Sequence, residues 1–343
     1  MIREIRLEEK DKYNQVVDHP LQTWEWGEFR HQTGLKVERV GFFSAGRLNK
    51  AIQVTFHPLP FINYTAGYFP KGYMPDEDQL AALKHLAEKN RALFIKLEPE
   101  VAKEVGHASA HRQLADFLVE HGAIPGRPLF SNYSFMIDLK KSETELFANL
   151  SSKTRYNVNL AARKGVAIIE DTSDQGLETY IKILEETTHR KGFYAHTPDY
   201  FRKMWLNLKD SGMMKIFTAV YEGQVLVSWI IFVLHNKLYY PYGASRSIHR
   251  DVMASNLMMW EMIRYGKQKK CTQFDLWGCL GPEPSPRDAW FGFHKFKQGY
   301  GGQHMEYLGS YDLVTNQPLY KVFRFAETWR WRWLRLKTQL SLS

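Results

Sequence analysis

Apolar positions along this chain change period several times, and each change marks an element. Leu80, Leu83 and Leu86 recur at helical spacing behind Pro75-Asp76, which predicts a helix opening there. Leu177, Tyr180, Ile181 and Leu184 mark another helix, capped by Ser173 and closed before Gly192. Phe201, Met204, Trp205 and Leu208 follow Thr197-Pro198 at i, i+3, i+4 and i+7, a helix with proline in its first turn. Ser142 and Glu145 have the spacing of a capping box for one more. Stripes of this kind face a core. Elsewhere the pattern is strand, turn, strand: VGFFSAGRLNKAIQVTF about Gly46, and IFTAVYEGQVLVSWIIFVL about Gly223.

The two hairpins sit in the same order of elements. Each is preceded by helical sequence and followed by a helix and a short strand, LFIKLEP (Leu93 to Pro99) and FDLWG (Phe274 to Gly278). The alternation predicts an α/β or α+β fold, and the repeated order predicts a duplicated domain. Turn residues in GAIPGRPLFS, Gly122 to Ser131, place the boundary between the halves there.

Composition alters this picture little. At 343 residues and 44% apolar, the chain buries a core without disulfide or metal staples. Cys271 and Cys279 have no histidine at metal-ligand spacing, so the sequence predicts no metal site and suits a reducing cytoplasm. The N-terminus lacks a signal-peptide apolar region, and the longest apolar run, Val225 to Leu234, is ten residues, about half a membrane span.

Charge changes more. The formal net charge is +9, and from Lys321 onward six basic residues meet one acidic residue, Glu327. A polyanionic partner fits this balance: RNA, a diphosphate or an anionic membrane. The tail YKVFRFAETWRWRWLRLKT alternates cations with aromatics. It suits either a lipid headgroup layer or packing on the first half. Aromatics at alternate positions cannot share one helix face. We therefore expect Phe323 and its neighbours inward and the Trp-Arg stretch exposed.

Common catalytic fingerprints are missing: there is no GxGxxG, GxxxxGK[ST] or GxSxG. His107 and His111 are spaced i, i+4 without an intervening Glu and read as exposed helix histidines. ARKGVA, Ala162 to Ala167, approaches the pyrophosphate loop of coenzyme A enzymes, but Ala162 departs from it and a helix end reads equally well.

Eight segments in order carry a stronger signal. They are LQTWEWGEFR (Leu21 to Arg30), YFPKG (Tyr68 to Gly72), KLEP (Lys96 to Pro99) and SSKTRYNVNLAARKGV (Ser151 to Val166). After them come THRKGF (Thr188 to Phe193), YPYGASR (Tyr240 to Arg246), YGKQKKCTQFDLWG (Tyr265 to Gly278) and FHKFKQGYGG (Phe293 to Gly302). Together they resemble the Fem family of peptidoglycan-bridge aminoacyltransferases, in its compact subgroup without a coiled-coil arm. The resemblance implies tandem acetyltransferase-like (GNAT-like) domains. Residues 1–128 would form the first, completed by 303–343, and residues 129–302 the second. It also implies an enzyme moving an amino acid from aminoacyl-tRNA to the side-chain amine of a stem peptide on UDP-MurNAc-pentapeptide or lipid II. Such an enzyme would work as a monomer in the cytoplasm, at the inner face of the membrane. A coenzyme A-dependent N-acyltransferase of the same duplicated fold is the alternative. Two segments depart from the family pattern: Lys71-Gly72-Tyr73 stands for Arg-Gly-Pro, and Glu98 for Asp.

Aminolysis of a tRNA ester is downhill, so the reaction needs no ATP, metal or other cofactor, only positioning and charge control. Lys297, expected in a glycine-bounded loop beside Phe296, is the candidate cation for the oxyanion. Glu98, at a strand end, is the candidate partner of the acceptor amine, or equally a surface carboxylate. By resemblance Arg30 and Arg190 hold the acceptor's diphosphate, which suits the guanidinium fork. Lys71, Tyr194, Tyr240, Tyr242 and Trp277 are candidates for lining the acceptor groove. Lys153 and Arg155 would touch the tRNA acceptor stem, or form the wet face of a helix.

Overall fold

The structure, a computed structural model, describes residues 1–107, 110–191 and 195–340. The first half begins with β1 (Ile2–Glu4), α1 (Lys10–Val16), α2 (Trp24–Gln32), β2 (Lys36–Ser44) and β3 (Arg47–Pro58). It continues through β4 (Thr65–Pro70), α3 (Glu77–Lys89), β5 (Ala92–Glu98), β6 (Ala102–Glu104), α4 (Ala110–Glu120) and β7 (Ala123–Pro125). The second half opens with β8 (Tyr133–Asp138), α5 (Glu143–Ala148), α6 (Ser152–Arg163), β9 (Ala167–Glu170), α7 (Asp174–Lys191) and α8 (Pro198–Leu208). Then come β10 (Met214–Tyr221), β11 (Gln224–Leu234), β12 (Lys237–Ser245), α9 (Ala254–Gln268), β13 (Gln273–Cys279) and α10 (Phe291–Gln298). The chain closes on β14 (Gln303–Tyr307), β15 (Tyr311–Val314) and α11 (Gln317–Leu340).

The expected helices form where their caps stand. Asp76 accepts from the Gln79 amide at 2.9 Å, Ser173 from the Gly176 amide at 2.9 Å, and Ser142 from the Glu145 amide at 3.2 Å. Both hairpin turns are two residues with positive φ, Ala45-Gly46 and Glu222-Gly223, the twist that a tight hairpin requires. ARKGVA is a helix end. The amides of Val166 and Gly165 donate to the carbonyls of Ala161 and Ala162, and Gly165 has φ +83°, closing α6 as a Schellman motif. His107 precedes α4 and His111 lies on it, so the two do not share a helix.

Two sheets result. The first runs β1-β2-β3-β4-β5-β15-β7, the second β6-β14-β8-β13-β12-β11-β10-β9. Among the described residues each contains one parallel pair, β4 with β5 and β12 with β13, and antiparallel neighbours otherwise. The duplicated order is thus a duplicated topology. The halves also exchange strands. Residues 303–307, expected to return to the first half, pair with β8 in the second sheet, and the return comes at β15. β6 crosses the other way, to the far edge of β14.

Helix α11 packs at its start, and Phe325 and Trp329 further along are exposed. Tyr320 is buried, its ring 5.4 Å from Phe94, and Phe323 lies 5.3 Å from the same ring. Beneath them Asp312 accepts from the Tyr320 hydroxyl at 2.7 Å and pairs with Lys96 at 2.6 Å. Val322, Phe325 and Trp329 are exposed; the side chains of Trp331 and Trp333 lie outside the described residues. Truncation after Thr315 removes the packed turn and should destabilise the protein by about 3 kcal/mol or more, by analogy with large aromatic-to-alanine changes in cores. Truncation after Glu327 removes only the outer stretch and should leave the thermal midpoint in place. Scanning calorimetry of the two proteins checks both outcomes.

Candidate active site

The site begins with a fault in a strand. β12 and β13 pair in parallel through Lys237↔Gln273, Leu238↔Phe274 and Tyr239↔Asp275. Beyond Asp275 the register of β13 slips by a bulge, and Trp277 takes a φ of +63°. Asp275 sets this conformation: its Oδ1 accepts from the Trp277 amide at 2.7 Å and from the Ser134 hydroxyl of β8. The two strands part here and leave a wedge.

Lys297 reaches the wedge wall. It stands in the last turn of α10, not in a loop as expected, and is 1% exposed. Its Nζ donates to the Gly278 carbonyl at 2.8 Å. The Phe293 ring centre is 3.9 Å from Nζ and the Tyr240 ring 5.5 Å. Phe293 is the aromatic next to the amine; Phe296 turns away to Tyr300 and Trp229 in the core. Tyr240 is itself stacked on Trp229 at 3.9 Å. Among the described residues no carboxylate forms an ion pair with Lys297. Burial therefore dominates and lowers its pKa to about 7, partly opposed by the charge of Asp275.

A polar chain links this wedge to the first half. Asp275 Oδ2 accepts from the Tyr307 hydroxyl at 2.9 Å. Lys71, in a left-handed turn after β4 (φ +52°), places its Nζ 3.2 Å from the Tyr307 ring centre and 3.0 Å from Glu100. Lys71 is thus committed to Glu100 and Tyr307. Trp277 fills the same seam, 5.6 Å from the His19 ring and 5.9 Å from Phe130. His19 is fully buried, which holds its pKa well below the usual imidazole value. Glu98 is buried as well: its two oxygens accept from the Tyr68 hydroxyl at 2.5 Å and the Leu129 amide at 2.6 Å.

A second cluster forms around Arg30. Helix α2 packs its Phe29 against Tyr200 of α8, 4.8 Å between rings, which carries Arg30 to 5.8 Å from the Tyr200 ring. Burial raises the pKa of Tyr200, and Arg30 and Tyr242 nearby oppose the shift. Burial, with Arg30 nearby, lowers His57 to about 4 and depresses His196 too. The positive charge in this cluster is therefore the arginine's. Arg190, near the end of α7, donates to the Ser245 carbonyl at the end of β12 at 3.0 Å. Tyr194 lies outside the described residues. Lys153 is exposed on α6, whereas Arg155 donates to the carbonyls of Ala148 at 2.7 Å and Leu150 at 2.5 Å, tying down the end of α5.

Sequence reasoning missed Asp275, Tyr307, Phe293 and Tyr200. Asp275 and Phe293 lie inside segments already singled out, but nothing local marks them. Their roles exist only once β8, β13, α10 and β14 meet.

Comparison with known proteins adds to this geometry. The FemAB family model matches residues 6–220 and 209–328. A lipid II:glycine glycyltransferase of Staphylococcus epidermidis is 23% identical over 89% of this chain and 91% of its own length. Its counterpart in Staphylococcus haemolyticus is 22% identical over 90% of this chain and 91% of its own. The crystal structure of FemX superposes with a TM-score of 0.83 at 21% identity, covering 94% of this chain and 99% of that one. A tandem GNAT protein from the clavulanic acid pathway superposes at 0.53 with 12% identity, over 91% and 98% of the two chains. The fold is a tandem acetyltransferase-like one.

The buried amine has a stability signature. In the folded chain Lys297 releases its proton near 7, whereas the unfolded lysine holds it to 10.5. Between those values the unfolded state binds more protons, so this contribution to stability grows as pH rises and is least favourable below about 7. Lys297→Met should therefore be more stable than wild type at about pH 6, and the gap should narrow by about pH 9.5. Denaturant unfolding of both proteins at the two pH values tests this, and a gap that does not change with pH would contradict it.

Proposed function

The chain belongs to the FemAB family, and from that membership and the wedge around Lys297 we propose that it is an aminoacyltransferase of peptidoglycan bridge synthesis. It moves an amino acid from aminoacyl-tRNA to the side-chain amine of a stem peptide. The relatives named lipid II:glycine glycyltransferase make lipid II and glycine the first acceptor and donor to try. The observation that carries the reading is a buried ammonium without a carboxylate partner where the parallel strands part.

In the reaction the acceptor nitrogen attacks the ester carbonyl carbon. A C–N bond forms and an electron pair moves onto oxygen. That oxyanion meets the Lys297 ammonium, held in a water-poor setting where the attraction is strong. Collapse breaks the bond to the ribose oxygen, which takes up the proton that the amine gives up. Phe293 and Tyr240 keep water from the amine, and Asp275 fixes the strand whose Gly278 carbonyl aims it. Arg30, beside the Tyr200 ring, meets the acceptor's diphosphate, with Arg190 of α7 as a second contact. Glu98 positions Tyr68 and the linker rather than the amine directly, since both its oxygens are engaged.

Two outcomes follow for labelled glycine transfer from glycyl-tRNA to lipid II. Lys297→Ala should lower kcat by about two to three orders of magnitude, the cost of one oxyanion donor. With wild type the rate should rise with pH while the acceptor amine deprotonates, then level off above about 7 as Lys297 loses its proton in step. Lys297→Arg should show no such break. Transfer from acyl-coenzyme A in place of the charged tRNA would overturn the reading.

The outer part of α11 approaches the membrane that carries lipid II. No helix among the described residues is long and apolar enough to cross a bilayer. The exposed Phe325 and Trp329 and the basic residues beyond them suit the headgroup layer. The full chain should co-sediment with anionic vesicles at low salt and be released near ~1 M salt, where the Debye length is about 3 Å. Truncation after Glu327 should abolish the binding, and unchanged sedimentation would refute the contact.

A further inference from the structure

Beside Lys297 lies a group that the transfer reaction does not use. Cys279 ends β13, His294 lies one turn before Lys297 on α10, and His304 is on β14. One ligand atom from each falls within 4.8 Å of the others. Cys279 Sγ and His304 Nε2 are 3.5 Å apart. Tetrahedral zinc, with bonds of about 2.3 Å to sulfur and about 2.0 Å to nitrogen, sets such atoms about 3.5 Å apart. His294 is 1% exposed, and its Nδ1 is buried without a hydrogen-bond partner. A buried imidazole nitrogen left unsatisfied is costly unless something fills the place.

We propose that Cys279, His294 and His304 form a binding site for a divalent transition metal, zinc first. One thiolate and two imidazoles are borderline-soft ligands, which select zinc over magnesium or calcium. Without metal the Leu280 carbonyl is hydrogen-bonded to His304 Nε2 at 3.0 Å and accepts from Cys279 Sγ at 3.4 Å, contacts that a bound metal would replace. His304 is held in orientation by stacking on Phe135, 4.7 Å between ring centres. His294 packs edge-on against the same ring at 5.1 Å.

The site joins three elements that otherwise meet mainly through side-chain packing: the bulged end of β13, α10 and β14. Gly278, whose carbonyl receives Lys297, immediately precedes Cys279. A metal there would pin the wall and the helix that aim the amine. Nothing in the sequence spacing reveals it, because the three ligands come from three separate elements.

The test uses the full chain and does not depend on transfer activity. Protein stripped with a chelator is titrated with zinc chloride, freed of excess metal, and analysed by mass spectrometry for bound metal. A parallel sample takes up cobalt(II), and its visible spectrum reports tetrahedral geometry and thiolate ligation. Wild type should retain about one zinc per chain and give an intense cobalt spectrum with a thiolate charge-transfer band. Cys279→Ala and His304→Gln should each weaken zinc binding about tenfold or more, and Cys279→Ala should abolish the charge-transfer band. Cys271→Ala, which alters the other cysteine, should change neither. Circular dichroism checks that each variant is folded. Wild type that retains no zinc overturns the site, as does retention that both ligand substitutions leave unaltered.

Discussion

The organisation of this molecule depends on one interruption of hydrogen bonding, the bulge that Asp275 imposes on β13. A parallel pair that continued past Tyr239↔Asp275 would close the second sheet where the wedge now opens. Asp275 prevents this by taking the Trp277 amide for itself. Its carboxylate also holds the Ser134 and Tyr307 hydroxyls, so the bulge is braced from β8 and from β14. The first sheet shows the contrast. There β4 and β5 stay paired to Pro70↔Glu98 at the strand end, and no wedge forms. Duplication supplied two copies of the topology, and only one was opened.

The closed copy has another use. Its last parallel residues lead into the turn that carries Lys71 and into Glu98 and Glu100, which meet Tyr307 and the linker at Leu129. The strand exchange strengthens the same seam, with β6 at the edge of the second sheet and β15 inside the first. The packing of α2 on the second half holds Arg30 against Tyr200 at a fixed spacing.

Short-range order was legible in the sequence and long-range order was not. The caps at Asp76, Ser142 and Ser173, the hairpin tips at Gly46 and Gly223, and the inward turn of Phe323 follow from periodicity within a few residues. Lys297 was found as a residue but misplaced in a loop: HKFKQGYGG ends in glycines, and the helix it closes is short. Phe296 is next to Lys297 in sequence, but Phe293 is next to it in space, because on a helix the residue four places back shares a face. Arg155, a candidate cation for tRNA, also has its Nη1 engaged by carbonyls at the end of α5, a contact that no spacing rule reveals. The return of the chain at Tyr311 rather than at residue 303 was hidden for a similar reason. β14 and β15 are both short strands, and only their partners distinguish them.

Three lysines are buried among the described residues, and comparing them singles out the one without a carboxylate partner. Lys71 has Glu100 at 3.0 Å, and Lys96 has Asp312 at 2.6 Å. Removing an ammonium from water costs several kcal/mol even after the protein relaxes, and in both cases a carboxylate offsets that cost. Lys297 has instead a carbonyl, two aromatic faces and the more distant field of Asp275. These stabilise its charge only in part, as its depressed pKa records. An anion arriving at Nζ therefore gains more than it would at either of the other two, because no carboxylate must first be displaced. In the proposed reaction the stabilising group missing from the resting protein would be the one the tetrahedral intermediate brings, and the attraction would then be spent on the transition state rather than on the ground state.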